Sequence, residues 1–270
     1  MVKNLMGELL AEKKQQVASK KAINDVLGSD RLIAAIESGY RTDRVAEFKV
    51  KKSFSPSTLT WGSGACPRYW NLAFSGQMYI GDEDTDPKSI ASMANGTASH
   101  DRLQKAMKVA GILVESETRV VQTSPPIFGF CDAIIEWEGK KIPVEIKTMR
   151  EEAFVYRKST GEAADYHKAQ LLIYMRELGF DTGVLIYESK NSHELLAIPL
   201  TMDETNKQWL DELYDWMRLV RKTWVDGKTV KKPYRNNSKV CKTCPLQGPC
   251  TKLGASPNDV EIAPLRMLGE

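Results

Sequence analysis

Three strand-like stretches in the middle of the chain constrain its fold more than any other feature. Residues 114–121, 127–137 and 142–148 are rich in β-branched, aromatic and other apolar side chains, a composition typical of strands. Glu138-Gly139-Lys140 separates the second stretch from the third and predicts a tight turn. We therefore expect an antiparallel meander at the centre of the molecule.

Helices are expected on both sides of this meander. Residue spacing predicts the other elements, with helices at 92–110 and 163–178 and strands at 182–188 and 195–200. Thr201-x-x-Glu204 has the form of a capping box and predicts one more helix after the last strand. That helix carries a stripe that we expect to face the core, formed by Trp209, Leu213, Trp216, Val220 and Trp224. The predicted class is α/β.

Length, charge and hydropathy set wide limits on function. At 270 residues the chain can bury a sizeable core, and its net charge of +3 is weak evidence for any partner. No apolar run approaches the roughly 18 to 20 residues of a membrane span, so we expect a cytoplasmic protein without membrane association. Five cysteines are too few for a disulfide scaffold, and clustered thiols then point to a metal site.

A pair of charged residues on the third strand suggests a polar pocket. Glu145 and Lys147 are two residues apart, so their side chains point to the same face of a strand. Asp132, on the preceding strand, is expected near them across the hairpin. Two carboxylates and a histidine can bind Mg²⁺ or Mn²⁺, which activates water and polarises phosphate for phosphodiester cleavage. An E-x-K tripeptide taken alone is more commonly an exposed charge pair.

Four motifs together are more specific than any one of them. In chain order they are Gly96-Thr-Ala-Ser-His100, Gly129-Phe-Cys-Asp132, Glu145-Ile-Lys147 and Gln170-Leu-Leu-Ile-Tyr174. Their order and approximate spacing resemble those of RecB-like nucleases of the PD-(D/E)XK superfamily. The resemblance covers about residues 53–252 and leaves the first fifty residues unexplained.

The resemblance implies a fold and a domain organisation. It implies a restriction-endonuclease-like core at residues 53–235, with a mixed central sheet flanked by helices. A helical extension at 1–52 precedes this core, where the spacing of apolar residues favours short amphipathic helices. A cysteine segment at 236–270 follows the core and is expected to pack with Cys66.

The same resemblance implies roles for the motif residues. The metal ligands it implies are His100, Asp132, Glu145 and the Ile146 carbonyl. Asp132 and Glu145 would thus belong to the catalytic set together with Lys147, the catalytic lysine. Gln170 and Tyr174 are four residues apart and so lie on one face of a helix. They would contact the substrate backbone or brace the site.

The remaining cysteines suggest a second metal site. Cys241 and Cys244 have the close spacing of metal ligands, and Cys250 follows them. With Cys66 as a fourth ligand, the pattern resembles the iron–sulfur branch of RecB-like nucleases, which includes the AddB subunit and the CRISPR-associated Cas-four type. This implies a four-iron four-sulfur cluster that closes the domain. The chemistry of four thiolates alone also allows zinc. Cys131 is expected to be a buried apolar residue.

A basic segment borders the three clustered cysteines. It contains Lys222, Lys228, Lys231, Lys232, Arg235, Lys239 and Lys242. Such a segment suits the phosphates of single-stranded DNA, with Lys231, Lys232 and Arg235 as the candidate contacts. A solvated basic face explains it equally well.

The sequence thus predicts a divalent-metal-dependent deoxyribonuclease. The resemblance, rather than any residue pattern, favours exonuclease action on single-stranded DNA ends in recombination, repair, phage DNA processing or CRISPR adaptation. No ATPase phosphate loop occurs in the chain, so duplex unwinding would require a helicase partner, and oligomerisation stays open. The competing class is a non-catalytic nucleic-acid-binding protein whose zinc or iron–sulfur site only holds the fold.

Overall fold

The computed structural model describes residues 10–19, 28–43, 50–59, 61–76, 86–266 and 268. The chain forms two compact units. One comprises Met1–Ala46 and Asp82–Ser92, and the other comprises Glu47–Gly81 and Met93–Glu270. The domain boundaries predicted at residues 52 and 235 stay predictions.

A five-stranded mixed sheet lies in the second unit. Its strands, in both chain and spatial order, are Leu113–Thr123 (β1), Pro126–Trp137 (β2), Lys140–Met149 (β3), Thr182–Ser189 (β4) and Leu195–Thr201 (β5). All neighbours pair in antiparallel fashion except β3 and β4, which run parallel. The predicted meander and the α/β class with a mixed central sheet are confirmed.

The turn between β2 and β3 sets the register of the hairpin. Glu138 and Gly139 have φ values of 51° and 74°, and a type I′ turn requires positive φ at both central residues. Trp137 pairs with Lys140 directly across this turn. Further along the same ladder, Ala133 lies opposite Val144, which brings Asp132 beside the Glu145 region of β3.

Along the chain, helices occur before, between and after the strands. In the described ranges the α-helices are residues 10–19 (α1), Ser29–Asp43 (α2), Pro56–Leu59 (α3), Pro67–Phe74 (α4), Pro87–Val109 (α5), Glu151–Thr160 (α6), Asp165–Leu178 (α7), Glu204–Val225 (α8), Lys239–Lys242 (α9) and Gln247–Leu253 (α10). A 3₁₀ turn spans Gly62–Ala65. Every one of these helices is too short or too polar to span a lipid bilayer.

The crossover between the parallel strands contains α6 and α7. Parallel strands need such a connection because the chain must return to the same end of the sheet. Gly161 and Gly179, with φ values of 69° and 75°, end the two helices in the left-handed conformation that favours glycine. Residues 169–175 of α7 are buried without interruption, so this helix is enclosed by the core.

Three hydrophobic core clusters divide the buried strand residues between them, the smallest holding Val120, Cys131, Ile134 and Tyr174. The largest contains residues of α4, α7 and α8, such as Trp70, Leu172 and Leu213. The second contains Val144 and Ile146 of β3 together with residues of α5 and β2. Because side chains alternate along a strand, Glu145 and Lys147 point away from this second core, as the sequence predicts.

Three expectations concern the helix after the last strand. Its presence is confirmed by α8, but the capping box is wrong: Thr201 ends β5, and the carboxylate of Asp203 caps α8 by accepting a hydrogen bond from the backbone N of Asn206. The capping carboxylate lies one residue from the helix start, which makes it the closer partner. Helix α6 was not expected from the sequence. The apolar stripe of α8 is confirmed as core-facing, with Leu213 and Val220 fully buried.

In the N-terminal extension the expected short helices are present as α1 and α2. Parts of that expectation rest on Leu5, Leu9, Ile23, Val26 and Leu27, which lie outside the described residues.

Candidate active site

The structure brings Asp132, Glu145 and Lys147 into one pocket. Nζ of Lys147 donates to Oε1 of Glu145 at 2.6 Å, as expected for neighbours on one strand face. Asp132 joins them from β2, because its Oδ2 accepts a hydrogen bond of 2.6 Å from the backbone N of Ile146. The carboxylate of Asp132 is therefore fixed to the strand that carries the other two residues.

One carboxylate oxygen of Glu145 accepts two hydrogen bonds, and the other accepts none. Oε1 accepts from Lys147 and also from Nε2 of Gln170, each at 2.6 Å. Oε2 is buried and has no hydrogen-bond partner, although Glu145 is only 1% exposed. A buried, unpartnered carboxylate oxygen is costly, and such an atom is what a bound cation would compensate.

His100 and Gln104 hold Asp132 from helix α5. Nδ1 of His100 lies 3.4 Å from Oδ1 of Asp132. Nε2 of Gln104 donates to the backbone O of Asp132 and to Oε1 of Glu117, both at 2.8 Å. Sequence reasoning missed Gln104. Its position one turn after His100, on the same helix face, is the signal that could have found it.

Gln170 and Tyr174 are buried on helix α7 and reach the site from inside. Gln170 is 6% exposed and Tyr174 is 3% exposed. Besides its bond to Glu145, Nε2 of Gln170 lies 3.4 Å from the Tyr174 hydroxyl. Of the two roles considered for these residues, bracing fits this burial and direct substrate contact does not.

Gly129 of the G-x-x-D motif has a packing reason. A Cβ at this position would lie 3.0 Å from the Tyr174 hydroxyl oxygen and 3.1 Å from Cδ of Pro56, so a larger residue would displace Tyr174. Gly96 of the G-x-x-x-H motif is less restricted, because a Cβ there would be 3.9 Å from Oγ1 of Thr148, an ordinary contact.

The electrostatics of the pocket reflect its burial. Burial raises the pKa of Glu145 well above its usual range, although the Lys147 ammonium acts in the opposite direction. Burial alone would lower the pKa of Lys147, but the charge of Glu145 raises it instead. Burial alone would lower the pKa of His100, but the hydrogen bond to Asp132 and the charge of that carboxylate together raise it. The pocket therefore favours cations beside its carboxylates.

The donor chemistry of this pocket fits a hard divalent cation. Asp132 and Glu145 supply carboxylate oxygens, and His100 supplies an imidazole beside them. The unpartnered Oε2 of Glu145 is the observation that favours such an ion. Nevertheless, in the part of the chain that the structure describes, no three His, Cys, Asp or Glu side chains are grouped closely enough to hold a metal as they stand. Binding would require side-chain adjustment.

The four cysteines predicted to bind a metal line one cavity. Cys66, Cys241, Cys244 and Cys250 share this cavity with apolar groups of Tyr69, Leu72, Val240 and Leu246, and all four are free thiols. Burial raises the pKa of Cys66 to about 12, which disfavours a thiolate unless a cation is present. The donor set thus fits a thiolate-bound metal. As they stand among the described residues, however, these thiols are not grouped closely enough to hold one. Cys131 is separate from them and fully buried, as expected.

Arg68 ties the segment around the cysteines to helix α4, and sequence reasoning missed it. This guanidinium is 1% exposed. It donates to the backbone O of Val230 at 2.7 Å and to Oδ2 of Asp259 at 3.1 Å, and it also bonds the carbonyl of Gly254. Its position after Cys66-Pro67 is a sequence signal that could have drawn attention to it.

Of the predicted DNA contacts, the basic residues Lys231, Lys232 and Arg235 belong to the segment around the cysteine cavity, whereas Gln170 and Tyr174 belong to the carboxylate pocket. Lys232 lines the cysteine cavity and bonds Asn236. Nζ of Lys231 lies 3.3 Å from Oε2 of Glu261, and Arg235 is exposed.

A second buried carboxylate lies on the neighbouring strand. Glu188 is 1% exposed and is paired with Arg102 at 2.5 Å and with His193 at 3.0 Å. Although burial alone would raise the pKa of Glu188, hydrogen bonds from Arg102 and His193 lower it. Oε2 of Glu188, like Oε2 of Glu145, is buried without a hydrogen-bond partner. The two carboxylates differ in their pKa, which is lowered for Glu188 by its partners and raised for Glu145 by burial.

Comparison with known proteins adds little to this geometry. No family model matches the chain, and no curated protein matches it. Among solved structures, the chain is similar to a protein named SSO0001, at 19% identity over 81% of this chain and 95% of that chain, with a TM-score of 0.47.

The chain is also similar to LHK-Exo, an alkaline exonuclease from Laribacter hongkongensis. Its complex with dAMP matches at 12% identity over 65% of this chain and 89% of that chain, with a TM-score of 0.45. A second LHK-Exo structure matches at 13% identity over 70% and 98%, with a TM-score of 0.43. At such low scores these likenesses carry no argument about function.

Proposed function

We propose that this protein is a divalent-metal-dependent deoxyribonuclease that acts as an exonuclease on single-stranded DNA ends. One observation carries the proposal. Glu145, beside Asp132 and Lys147, keeps a buried carboxylate oxygen without any partner. A pocket with two carboxylates, a lysine and one uncompensated oxygen suits a cation and a phosphate, both of which would relieve its imbalance.

Each residue has a distinct role in this proposal. His100, Asp132 and Glu145, with the Ile146 carbonyl, would hold Mg²⁺ or Mn²⁺. When bound, the ion would activate water and neutralise charge on the scissile phosphate. Lys147 orients the attacking water or stabilises the additional negative charge that develops on the phosphate.

Other residues keep the pocket in place. The amide of Gln170 fixes the rotamer of Glu145 through its 2.6 Å bond to Oε1. On the other side, Gln104 holds the backbone of Asp132. Because a displacement of about 1 Å can cost on the order of 10² in rate, we expect both to influence turnover without touching substrate.

The cysteine site has a structural role in the proposal. Cys66, Cys241, Cys244 and Cys250 would bind a four-iron four-sulfur cluster or, as the alternative, zinc. Their common cavity supports this assignment. Either group would bind thiolates, and so offset the unfavourable deprotonation of buried thiols such as Cys66. A reducing, cytoplasmic compartment suits free thiols of this kind.

Single-stranded DNA as the substrate would imply further contacts, partners and host processes. The basic residues Lys231, Lys232 and Arg235 would contact DNA phosphates, and a helicase, recombination or CRISPR partner would supply unwound DNA. The host processes compatible with such a reaction are recombination, repair, phage DNA processing and CRISPR adaptation. Self-association remains compatible with every one of them.

A cleavage assay tests the proposal. End-labelled single-stranded and duplex DNA would be incubated with the purified protein and Mg²⁺, Mn²⁺ or EDTA. We expect stepwise shortening of single strands with either metal and none with EDTA. Binding of DNA without cleavage under any metal condition would contradict the proposal and favour a non-catalytic binding protein.

A further inference from the structure

An exposed tryptophan, Trp61, contacts Tyr166 of helix α7, the helix that also carries Gln170 of the carboxylate pocket. Trp61 is 62% exposed, yet its backbone is held on both sides: its N donates to the O of Thr58 at 3.2 Å, and its O accepts from the N of Gly64 at 2.9 Å. Tryptophan and tyrosine are enriched at binding interfaces because each joins a large apolar ring to a polar group.

The loop around Trp61 admits little change. A Cβ at Gly64 would lie 1.7 Å from the O of Thr58, so only glycine fits there. Nε1 of the fully buried Trp70 donates to the O of Gly64 at 2.8 Å, and the backbone N of Cys66 donates to the O of Ser63 at 3.0 Å. The backbone path through Trp61 is therefore tied to the core beneath it.

Trp61 contacts a second aromatic ring, that of Tyr166, which is near enough to Lys147 of the pocket to act on it electrostatically. The ring centroids of Trp61 and Tyr166 are 4.5 Å apart with planes inclined by 58°, and Tyr166 in turn contacts His167 at 4.2 Å. We call Trp61 and Tyr166 the aromatic platform. Tyr166 lies one helical turn before Gln170 on α7, and residues so spaced share one helix face. Gln170 itself bonds Glu145.

Positive charges surround the inner end of the aromatic platform. Burial lowers the pKa of His167 to about 3, and the charges of Lys147 and Arg157 contribute to this shift. Both cations are therefore close enough to act on the ring that adjoins Tyr166. An exposed aromatic surface next to two cations and an uncompensated carboxylate pocket matches one ligand chemistry, a nucleobase with its phosphate.

We propose that Trp61 and Tyr166 stack on a nucleobase of single-stranded DNA and so place the adjoining phosphate over Glu145 and Lys147. This inference rests on the nuclease function proposed above and adds how the strand is positioned. Stacking on aromatic side chains tolerates any base, so the platform would support cleavage without sequence preference.

Binding of oligonucleotides that carry 2-aminopurine at successive positions tests this inference. The measurement uses the full chain without added divalent metal, so it does not depend on cleavage. We expect fluorescence quenching at one position of the bound strand. Trp61→Ala should abolish this quenching and weaken binding roughly tenfold or more, and Trp61→Phe should retain most of both.

Trp137→Ala is the matched control, because Trp137 is also an exposed tryptophan, at 53%, and lies at the distant β2–β3 turn. It should behave as wild type. Equal affinity and equal quenching in the Trp61→Ala and Trp137→Ala variants would overturn the inference. Loss of self-association in Trp61→Ala, with DNA affinity unchanged, would also overturn it and assign the ring to an interface between copies.

The two proposals fail separately. If the wild-type protein binds DNA with the expected quenching but never cleaves it, the nuclease proposal fails and the stacking site stands. If the wild-type protein cleaves DNA and Trp61 has no influence on binding, the stacking site fails and the nuclease proposal stands.

Discussion

The carboxylate pocket and the cysteine cavity are organised in different ways. In the pocket, Asp132 and Glu145 are each fixed by short hydrogen bonds to neighbours on adjacent strands or on α7. In the cavity, the thiols face apolar groups, and burial raises the pKa of Cys66 to about 12. The carboxylates of the pocket are thus held by hydrogen bonds within the protein, whereas the cavity has donors that would become ligands only with a bound cation.

The two regions also differ in how far apart their parts are in sequence. Asp132 and Glu145 belong to one hairpin, so the register of a single turn brings them together. The cysteine cavity brings residue 66 together with residues 241–250. This long-range closure cannot be predicted from local sequence patterns. Arg68 makes the same closure by hydrogen bonds to Val230 and Asp259. We infer that Arg68 positions the C-terminal segment independently of any metal.

The largest expected effect comes from removing Arg68. Arg68→Met leaves the carboxylate of Asp259 and the carbonyl oxygens of Val230 and Gly254 without their partner. This loss should lower the free energy of unfolding by about 3–5 kcal/mol. Urea unfolding followed by circular dichroism measures this. Lys231→Met is the control, since it removes an exposed pair to Glu261 and should cost less than about 1 kcal/mol. Equal losses in the two variants would show that closure does not depend on Arg68.

Removal of the pocket lysine should be the next largest effect. Lys147→Met should slow cleavage by on the order of 10² to 10³, because a preorganised charge is lost from the transition state, while DNA binding persists. Single-turnover cleavage of labelled single strands measures it. Lys141→Met, an exposed lysine on the same strand, should cleave as wild type does. Unchanged cleavage by folded Lys147→Met would exclude this lysine from the chemistry.

Metal content should differ between a variant of a cavity cysteine, Cys66, and a variant of Cys131, which lies outside the cavity. Cys66→Ala should lose most of the bound iron or zinc, because a four-thiolate site cannot stay closed with three. Cys131→Ala should retain all of it, since Cys131 lies in another core cluster, with Val120, Ile134 and Tyr174. Elemental analysis of anaerobically purified protein is the measurement. The same metal content in both variants would contradict a site built on Cys66.

The smallest expected effect concerns the basic residues near the cavity. If Lys231, Lys232 and Arg235 contact phosphates, each change to Gln should reduce the salt slope of single-strand binding by about 0.7, because one fewer set of counterions is released. Fluorescence anisotropy at several salt concentrations measures the slope. Lys207→Gln, an exposed change on α8, is the control. A triple variant with the slope of this control would show that the basic residues form a solvated face.

The sequence allowed the core of the pocket to be predicted because that core obeys a local rule. Alternation along β3 alone places Glu145 beside Lys147. Alternation is less informative on β2, where Cys131 and Ala133 are two residues apart but lie in different core clusters. Glu117 of β1, which lies opposite this segment, has φ of 53°. This irregular backbone could not be predicted from the residue types of β1.

Other parts of the site depend on tertiary packing and were not predictable from spacing. The aromatic platform joins Trp61 to Tyr166 across more than a hundred residues. The bonds of Arg68 to Val230 and Asp259 span a greater separation still. Such contacts are set by how α4, α7 and the C-terminal segment pack together, and single-sequence patterns carry no information about that arrangement.

One measurement tests most directly whether the carboxylate pocket is the site of chemistry. Single-turnover cleavage of single-stranded DNA at saturating Mg²⁺ would be compared between Glu145→Gln and Glu188→Gln, two equally buried glutamates on adjacent strands. We predict that Glu145→Gln slows cleavage by on the order of 10² or more, and that folded Glu188→Gln stays near the wild-type rate. Equal rates in the two variants would contradict the assignment of the pocket as a nuclease site.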